Sequence, residues 1–188
     1  MQVQSKCQDA HRAISAGEED HWYAAYTRPN HEKKVAEQLD LRNIEQLLPL
    51  YSSIRQWKDR TVRLMRPLFP GYVFVRISLQ KRLQVLEVPG IASLVGFGSQ
   101  PVCMPEEDIQ FLRRCMNHKT NVEPHPYVAV GRRVQVKGGP LGGLKGVIVS
   151  SKNRTRLVVS FDLIQRSATV EADQIDVEPL DSIRERLA

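Results

Sequence analysis

Residues 130–149, VGRRVQVKGGPLGGLKGVIV, contain the most specific pattern in this chain of 188 residues. Apolar residues alternate with other residues on either side of a glycine-rich segment, which is the pattern of two short strands joined by a turn. Val134 and Val136 mark the inward face of the first strand, and Val147 marks that of the second. Glycine and proline suit the segment between them because tight turns need their backbone geometry. The stretch therefore predicts a β-hairpin.

More short strands follow this hairpin, and a stretch without periodicity precedes it. Residues 156–162, 167–171 and 174–177 are predicted strands. With the hairpin they indicate a small β-barrel over residues 128–180, followed by a short tail, 181–188. Residues 118–127 contain Pro124 and Pro126 and no periodic apolar pattern, which predicts a linker.

Residues 22–117 have a different pattern, in which predicted strands alternate with predicted helices. The strands are expected at 22–27, 47–57, 61–68, 72–77 and 91–98, and the helices at 31–42, at 79–87 and from Pro105 onward. Asn30 is a suitable N-cap for the first helix. The third helix is expected to turn four residues inward: Ile109, Leu112, Cys115 and Met116. This order predicts an α+β domain, an antiparallel sheet flanked by helices. Residues 1–21 are polar and aperiodic, and they are expected to form a flexible arm.

The strand at 72–77 has the clearest alternation in this domain. It places Val73, Val75 and Ile77 on one face, and Tyr72 and Phe74 on the other. An open face with aromatic side chains is typical of a surface that binds a protein partner. Periodicity alone leaves open whether the Tyr72 face is exposed or covered.

The chain is basic, with a net charge of +6. Most of the excess positive charge lies between residues 22 and 117, which contain fourteen basic and nine acidic residues. Two clusters stand out. The first surrounds the start of the first helix: Arg28, His31, Lys33 and Lys34. The second lies on the hairpin around Trp57: Arg55, Lys58, Arg60 and Arg63. Both clusters suit a phosphate backbone, and an ordinary solvated surface is the alternative for both.

Several classes of protein are disfavoured by what the sequence lacks. No stretch approaches the roughly 18–20 apolar residues that span a bilayer, and the N-terminus lacks a signal-peptide core, so a cytoplasmic location is expected. Cys7, Cys103 and Cys115 are widely spaced and are expected to be reduced thiols. No catalytic or phosphate-loop motif occurs, and no histidines pair at metal-ligand spacing. We therefore expect no enzymatic activity, no metal and no cofactor.

Two parts of the chain resemble the NusG family of transcription elongation factors, in the family's order. Residues 130–149 resemble its KOW motif, whose pattern falls on eight residues: Gly131, Val134, Val136, Gly139, Pro140, Gly143, Gly146 and Val147. Trp22-Tyr23, residues 67–75 and Val88-Pro89-Gly90 resemble its N-terminal (NGN) domain. Residues 67–75 and 91–98 are more similar to the specialised RfaH-like and UpxY-like antiterminators than to the housekeeping factor.

The resemblance implies a non-enzymatic factor that binds RNA polymerase. In the family, the NGN domain rests on the clamp helices of the largest catalytic subunit and bridges the DNA channel to the gate loop of the other large subunit, which suppresses pausing and termination. The clamp-helix contact falls on six residues: Tyr26, Phe69, Tyr72, Phe74, Leu94 and Phe97. The resemblance therefore implies that the aromatic face with Phe69, Tyr72 and Phe74 is exposed. The gate-loop contact falls on Lys81, Arg82, Leu83 and Gln84, which depart from the His-Thr-Thr-Thr run of RfaH-like members.

The resemblance also implies nucleic-acid and further protein partners. Paralogues contact the non-template DNA strand with basic residues near the first helix, where Arg28, His31, Lys33 and Lys34 lie. The KOW domain contacts either the termination factor Rho or a small-subunit ribosomal protein, and both stay open here. A β-barrel rather than the helical hairpin of RfaH is expected, in a monomer associated with the bacterial nucleoid through polymerase. The alternative is a ribosome-associated or RNA-binding KOW protein, which would have no need of the segment 69–74.

Overall fold

The computed structural model describes residues 19–56, 60–97, 100–117, 122–125, 132–138, 142–143, 145–151, 154–171 and 177–179. The strands in these ranges are β1 (His21–Thr27), β2 (Glu45–Leu47), β3 (Leu50–Gln56), β4 (Thr61–Pro67), β5 (Tyr72–Ile77), β6 (Ile91–Leu94), β7 (Gly96–Phe97), β8 (Gln100–Pro101), β9 (Val122–His125), β10 (Arg132–Val136), β11 (Lys145–Ser151), β12 (Arg154–Phe161), β13 (Arg166–Glu171) and β14 (Val177–Pro179). The α-helices are α1 (Glu32–Leu41), α2 (Arg82–Leu86) and α3 (Glu106–Asn117).

The chain divides into two compact units. Described residues up to Leu48 and those of Phe69–Ile109 form the first unit, and those of Pro49–Leu68 and from Gln110 onward form the second. The first unit contains a four-stranded sheet of order β2-β5-β1-β6, in which every pair is antiparallel. The predicted α+β fold with an antiparallel sheet and helices is confirmed.

One face of this sheet forms the main core of the first unit. Val73, Val75 and Ile77 lie in it with Val35 and Leu39 of α1, and none of these side chains is more than 2% exposed. The predicted shared face of Val73, Val75 and Ile77 is therefore confirmed, and it is the face that packs against α1. Each such side chain stabilises the fold by about 1.5–3 kcal/mol when it leaves water.

Helix α1 begins at Glu32, one residue later than a cap at Asn30 predicts. Its N-cap is His31, whose side chain makes no capping hydrogen bond, whereas Asn30 has φ +62° in the left-handed region. The prediction that Asn30 caps the helix is wrong, because asparagine tolerates this left-handed conformation and takes the turn before the cap instead.

Helix α3 follows Pro105 as predicted and has acidic residues in its first turn. Ile109, Leu112 and Cys115 are buried as expected, but Met116 is 41% exposed. Phe111, which the sequence analysis did not select, is fully buried and lies with its ring centroid 6.1 Å from that of Phe161. No helix in the described part of the chain is long and apolar enough to cross a membrane.

The second unit contains the β3–β4 hairpin and a six-stranded antiparallel sheet of order β14-β10-β11-β12-β13-β9. The predicted C-terminal β-domain is confirmed. The predicted linker contributes a strand, since Val122–His125 pairs with β13. Pro124 is compatible with this position because β9 lies at the edge of the sheet, where a missing N–H breaks no ladder.

Candidate functional site

Two tyrosines on neighbouring strands form an aromatic patch on the first unit. Tyr26 of β1 lies directly opposite Tyr72 of β5, and their rings meet edge to face with centroids 5.5 Å apart. Tyr26 is 45% exposed and Tyr72 is half-buried. We call this pair the aromatic patch. Such rings present a large apolar surface with a hydroxyl at the rim, which suits a protein interface.

The patch is held by the turn that precedes β5. Gly71 has φ +86°, and a Cβ at this position would lie 3.4 Å from the Tyr26 ring. The backbone N–H of Thr27 donates to the carbonyl oxygen of Gly71 over 2.8 Å, and that of Tyr72 donates to Phe69 over 3.1 Å. The N–H of Gly71 donates to Oε1 of Glu32 over 2.8 Å. Glycine is therefore suited to this turn, which approaches Tyr26 closely.

Phe69 and Phe74 do not join the exposed patch. They are 1% and 0% exposed, and their rings meet edge to face with centroids 6.0 Å apart. Phe74 is in register with Ala24 and Leu47, and all three are buried, so this part of the face is covered as well. The prediction that these two rings lie on an open face is wrong, because buried aromatic pairing stabilises them in the core.

Leu94 and Phe97 lie near the end of the sheet, in two different environments. Leu94 is opposite Ala25 and packs partly buried against the core that faces the helices, so it shares the face of Ala25 and not that of Tyr26. The structure therefore does not bring Leu94 to the aromatic patch. Phe97 of β7 is 69% exposed.

A basic cluster follows the patch in the chain. Arg28, His31, Lys33 and Lys34 are all exposed. The backbone N–H of Arg28 donates to the carbonyl oxygen of Gly90 over 2.8 Å, which fixes the chain just after Tyr26 and Thr27. These four exposed residues flank or begin α1, and their contact with nucleic acid stays a prediction.

The β3–β4 hairpin belongs to the second unit and is also basic. Arg60 and Arg63 are exposed, and Arg63 lies opposite Ile54, which is 65% exposed. The Arg55 side chain and Lys58 lie outside the described residues. One face of the hairpin therefore combines a guanidinium group with an exposed apolar side chain.

Five of the eight predicted motif residues around the β10–β11 hairpin are described. Val134, Val136 and Val147 are buried. Gly143 has φ +82°, and its N–H donates to the carbonyl oxygen of Val136 over 2.8 Å. Gly146 faces β12 so closely that a Cβ would lie 2.8 Å from the carbonyl oxygen of Val158. Gly131, Gly139 and Pro140 lie outside the described residues.

The sequence model described as "Transcription termination factor nusG" matches residues 20–113. The chain belongs to the NusG family. A transcription termination/antitermination protein NusG of Helicobacter pylori is 26% identical over 85% of this chain and 98% of its own length. The NusG of Deinococcus radiodurans is 29% identical over 81% of this chain and 95% of its own. A solved structure entitled "Domain interaction in Thermotoga maritima NusG" covers 86% of this chain and 97% of its own, with a TM-score of 0.55 at 22% identity.

Membership of the NusG family establishes the general function and the architecture. The fold is an NGN domain followed by a KOW domain, and the chain is a transcription termination or antitermination factor. NusG family proteins are transcription factors that work with RNA polymerase.

The four residues predicted for a gate-loop contact lie together on the surface. Lys81 ends a short 3₁₀ turn, and Arg82, Leu83 and Gln84 begin α2. All four are exposed, and Leu83 is 62% exposed. The structure thus makes this segment available to a partner.

Glu32 lies inside the basic cluster but is only 5% exposed, and it is absent from the site residues predicted from the sequence. Its spacing of three and seven residues to Val35 and Leu39 places it on the buried stripe of α1. The sequence signal for its burial was the spacing, which places an acidic residue on the apolar face of the helix.

Proposed function

We propose that this chain is an elongation and antitermination factor that binds the clamp helices of RNA polymerase through its aromatic patch. The exposed Tyr26–Tyr72 pair on a NusG-family domain is the observation that carries this proposal. Tyrosine is enriched among the residues that dominate binding energy at protein interfaces. In this proposal, Phe97 extends the contact with the clamp helices. Phe69 and Phe74 support the aromatic patch from the core, and Leu94 packs at the end of the sheet.

The docked domain bridges the DNA channel and holds the clamp closed, which suppresses pausing and termination. The exposed segment 81–84 supplies the second end of the bridge, at the gate loop. Its sequence, Lys-Arg-Leu-Gln, favours a charged and apolar contact over the hydroxyl-rich contact of RfaH-like members.

The basic cluster contacts the non-template DNA strand alongside the docked domain. Its exposed side chains, Arg28, His31, Lys33 and Lys34, supply positive charge, which attracts phosphates whatever the base sequence. The hairpin residues Arg55, Lys58, Arg60 and Arg63 provide a second contact of the same kind.

The KOW domain recruits Rho or a small-subunit ribosomal protein to the elongation complex. The similarity of residues 67–75 and 91–98 to specialised paralogues favours an antiterminator that acts on a few operons. Mapping of polymerase occupancy with the tagged protein separates this role from a housekeeping role, since a general factor follows polymerase on all genes.

The clamp-helix contact is tested with the double variant Tyr26→Ala, Tyr72→Ala and purified core polymerase. Loss of both rings is expected to weaken binding at least about thirtyfold, the effect of losing one residue that contributes about 2 kcal/mol, since two rings in contact do not contribute additively. Leu41→Ala is the matched control, since Leu41 is apolar, 76% exposed and on the same unit. Unchanged affinity of the double variant would contradict the proposal, and cosedimentation with ribosomes without polymerase binding would favour the ribosome-associated alternative.

A further inference from the structure

We propose that Glu32 is a positioning residue for the aromatic patch. Its buried carboxylate accepts the hydrogen bond from the Gly71 N–H and thereby fixes the turn that places Tyr72 against Tyr26. This inference rests on the proposed function of the patch, although its structural part can be tested without polymerase.

The environment of Glu32 explains why a carboxylate is placed there. A buried charge is costly unless it is hydrogen-bonded. Here the carboxylate receives the Gly71 N–H over 2.8 Å and lies in the first turn of α1, where the helix dipole favours a negative charge.

The partner of Glu32 is the residue whose backbone conformation determines the patch. Gly71 approaches the Tyr26 ring closely and directly precedes Tyr72. Its carbonyl oxygen accepts the N–H of Thr27, so Gly71 is fixed to β1 on one side and to α1 on the other. Without the hydrogen bond to Glu32, the turn stays bonded to β1 through Thr27 but is no longer bonded to α1.

Glu32 also connects the patch to the basic cluster. The residues that flank it in the chain, His31 and Lys33, are exposed, while its own carboxylate points inward to Gly71. The helix that presents the basic side chains and the turn that presents Tyr72 are therefore joined by one hydrogen bond between residues 39 positions apart.

The first experiment measures hydrogen exchange of the Gly71 amide in the full-length chain. Glu32→Ala is expected to increase this rate about ten- to hundredfold, the range for losing a hydrogen bond to a charged group, while the exchange of Val75 in β5 stays within about twofold. Glu32→Gln keeps an acceptor oxygen and should restore protection. Glu37→Ala is the matched control, since Glu37 is exposed on the same helix and its loss changes the net charge equally. Unchanged Gly71 exchange in Glu32→Ala would overturn the proposal.

The second experiment is a double-mutant cycle on polymerase affinity with Glu32→Ala and Tyr72→Ala. If Glu32 acts through the patch, Glu32→Ala weakens binding about tenfold in the wild-type background and less than about twofold in the Tyr72→Ala background. An equal loss in both backgrounds, or a Glu32→Gln variant as weak as Glu32→Ala, would overturn the positioning role. If Tyr72→Ala itself leaves binding unchanged, the proposed function fails, and the Gly71 exchange still decides whether Glu32 holds the turn.

Discussion

Truncation of Phe74 to alanine should destabilise the NGN domain rather than act at its surface. Phe74 is fully buried on the face of β5 opposite Val73 and Val75, and its ring meets that of Phe69 with centroids 6.0 Å apart. Removal of a buried phenylalanine ring costs about 3–5 kcal/mol of unfolding free energy, of which the aromatic pair accounts for about 0.5–1.5 kcal/mol. Tyr72→Ala, at a half-buried position, should cost only about 1 kcal/mol.

Urea unfolding followed by tryptophan fluorescence measures this loss. Trp22 is 1% exposed and lies on the same sheet face as Phe74, so it reports on this domain directly in a Trp57→Phe background. Phe74→Leu is the control and should lose much less, because most of the apolar volume stays. A loss below about 1 kcal/mol for Phe74→Ala at an unchanged m-value would refute the reasoning, since a ring on an open face has little burial to lose.

Three further predictions follow from the basic cluster, the KOW hairpin and the buried thiol. The double variant Lys33→Ala, Lys34→Ala should reduce the steepness of log affinity against log salt for a single-stranded DNA probe by about 1.4, the equivalent of two phosphate contacts. An unchanged slope would show that the two lysines do not contact phosphates. Gly146→Ala should cost about 1–3 kcal/mol in thermal or urea unfolding, whereas Gly138→Ala should be neutral because nothing lies within 4 Å of its added Cβ. Burial raises the pKa of Cys115 from 9.0 to about 12, so this thiol, kept as the sole cysteine, should react with Ellman's reagent at about pH 8 only on unfolding. Because the pKa is raised, its contribution to stability is present below about pH 9 and lost as the pH rises toward 12.

The strands of the NGN domain could be predicted because apolar side chains with a period of two mark a buried face. Val73, Val75 and Ile77 lie in the core as that period requires. The same period says nothing about what covers the other face, and the expectation from the family resemblance that Phe74 lies on an exposed face is wrong. Burial of the second face depends on tertiary packing, such as the edge-to-face contact between Phe69 and Phe74, and the alternation within a strand does not predict that packing.

Polar residues at turns and edges were harder to predict. Asn30 has the side chain of a helix cap, but the backbone uses it at φ +62° before the cap. Val122–His125 lacks a strand pattern and contains a proline, yet it pairs at the edge of the KOW sheet, where one unpaired side makes the proline harmless. In both cases the outcome depends on the position of the residue in the fold and not on its type.

The net charge of the chain does not by itself identify its partner. Fourteen basic residues between 22 and 117 favour a polyanion, but the exposed aromatic pair on the NGN domain favours a protein. These two features lie at the same end of β1, because Tyr26 is followed by Thr27 and Arg28, whose N–H groups donate to Gly71 and Gly90. Charge acts over about 8–10 Å in physiological salt and mainly raises association rates, whereas buried aromatic contacts mainly lower dissociation rates. In the proposed function, this end of β1 therefore carries both surfaces: the aromatic patch determines where the factor docks, and the neighbouring basic cluster orients it along nucleic acid.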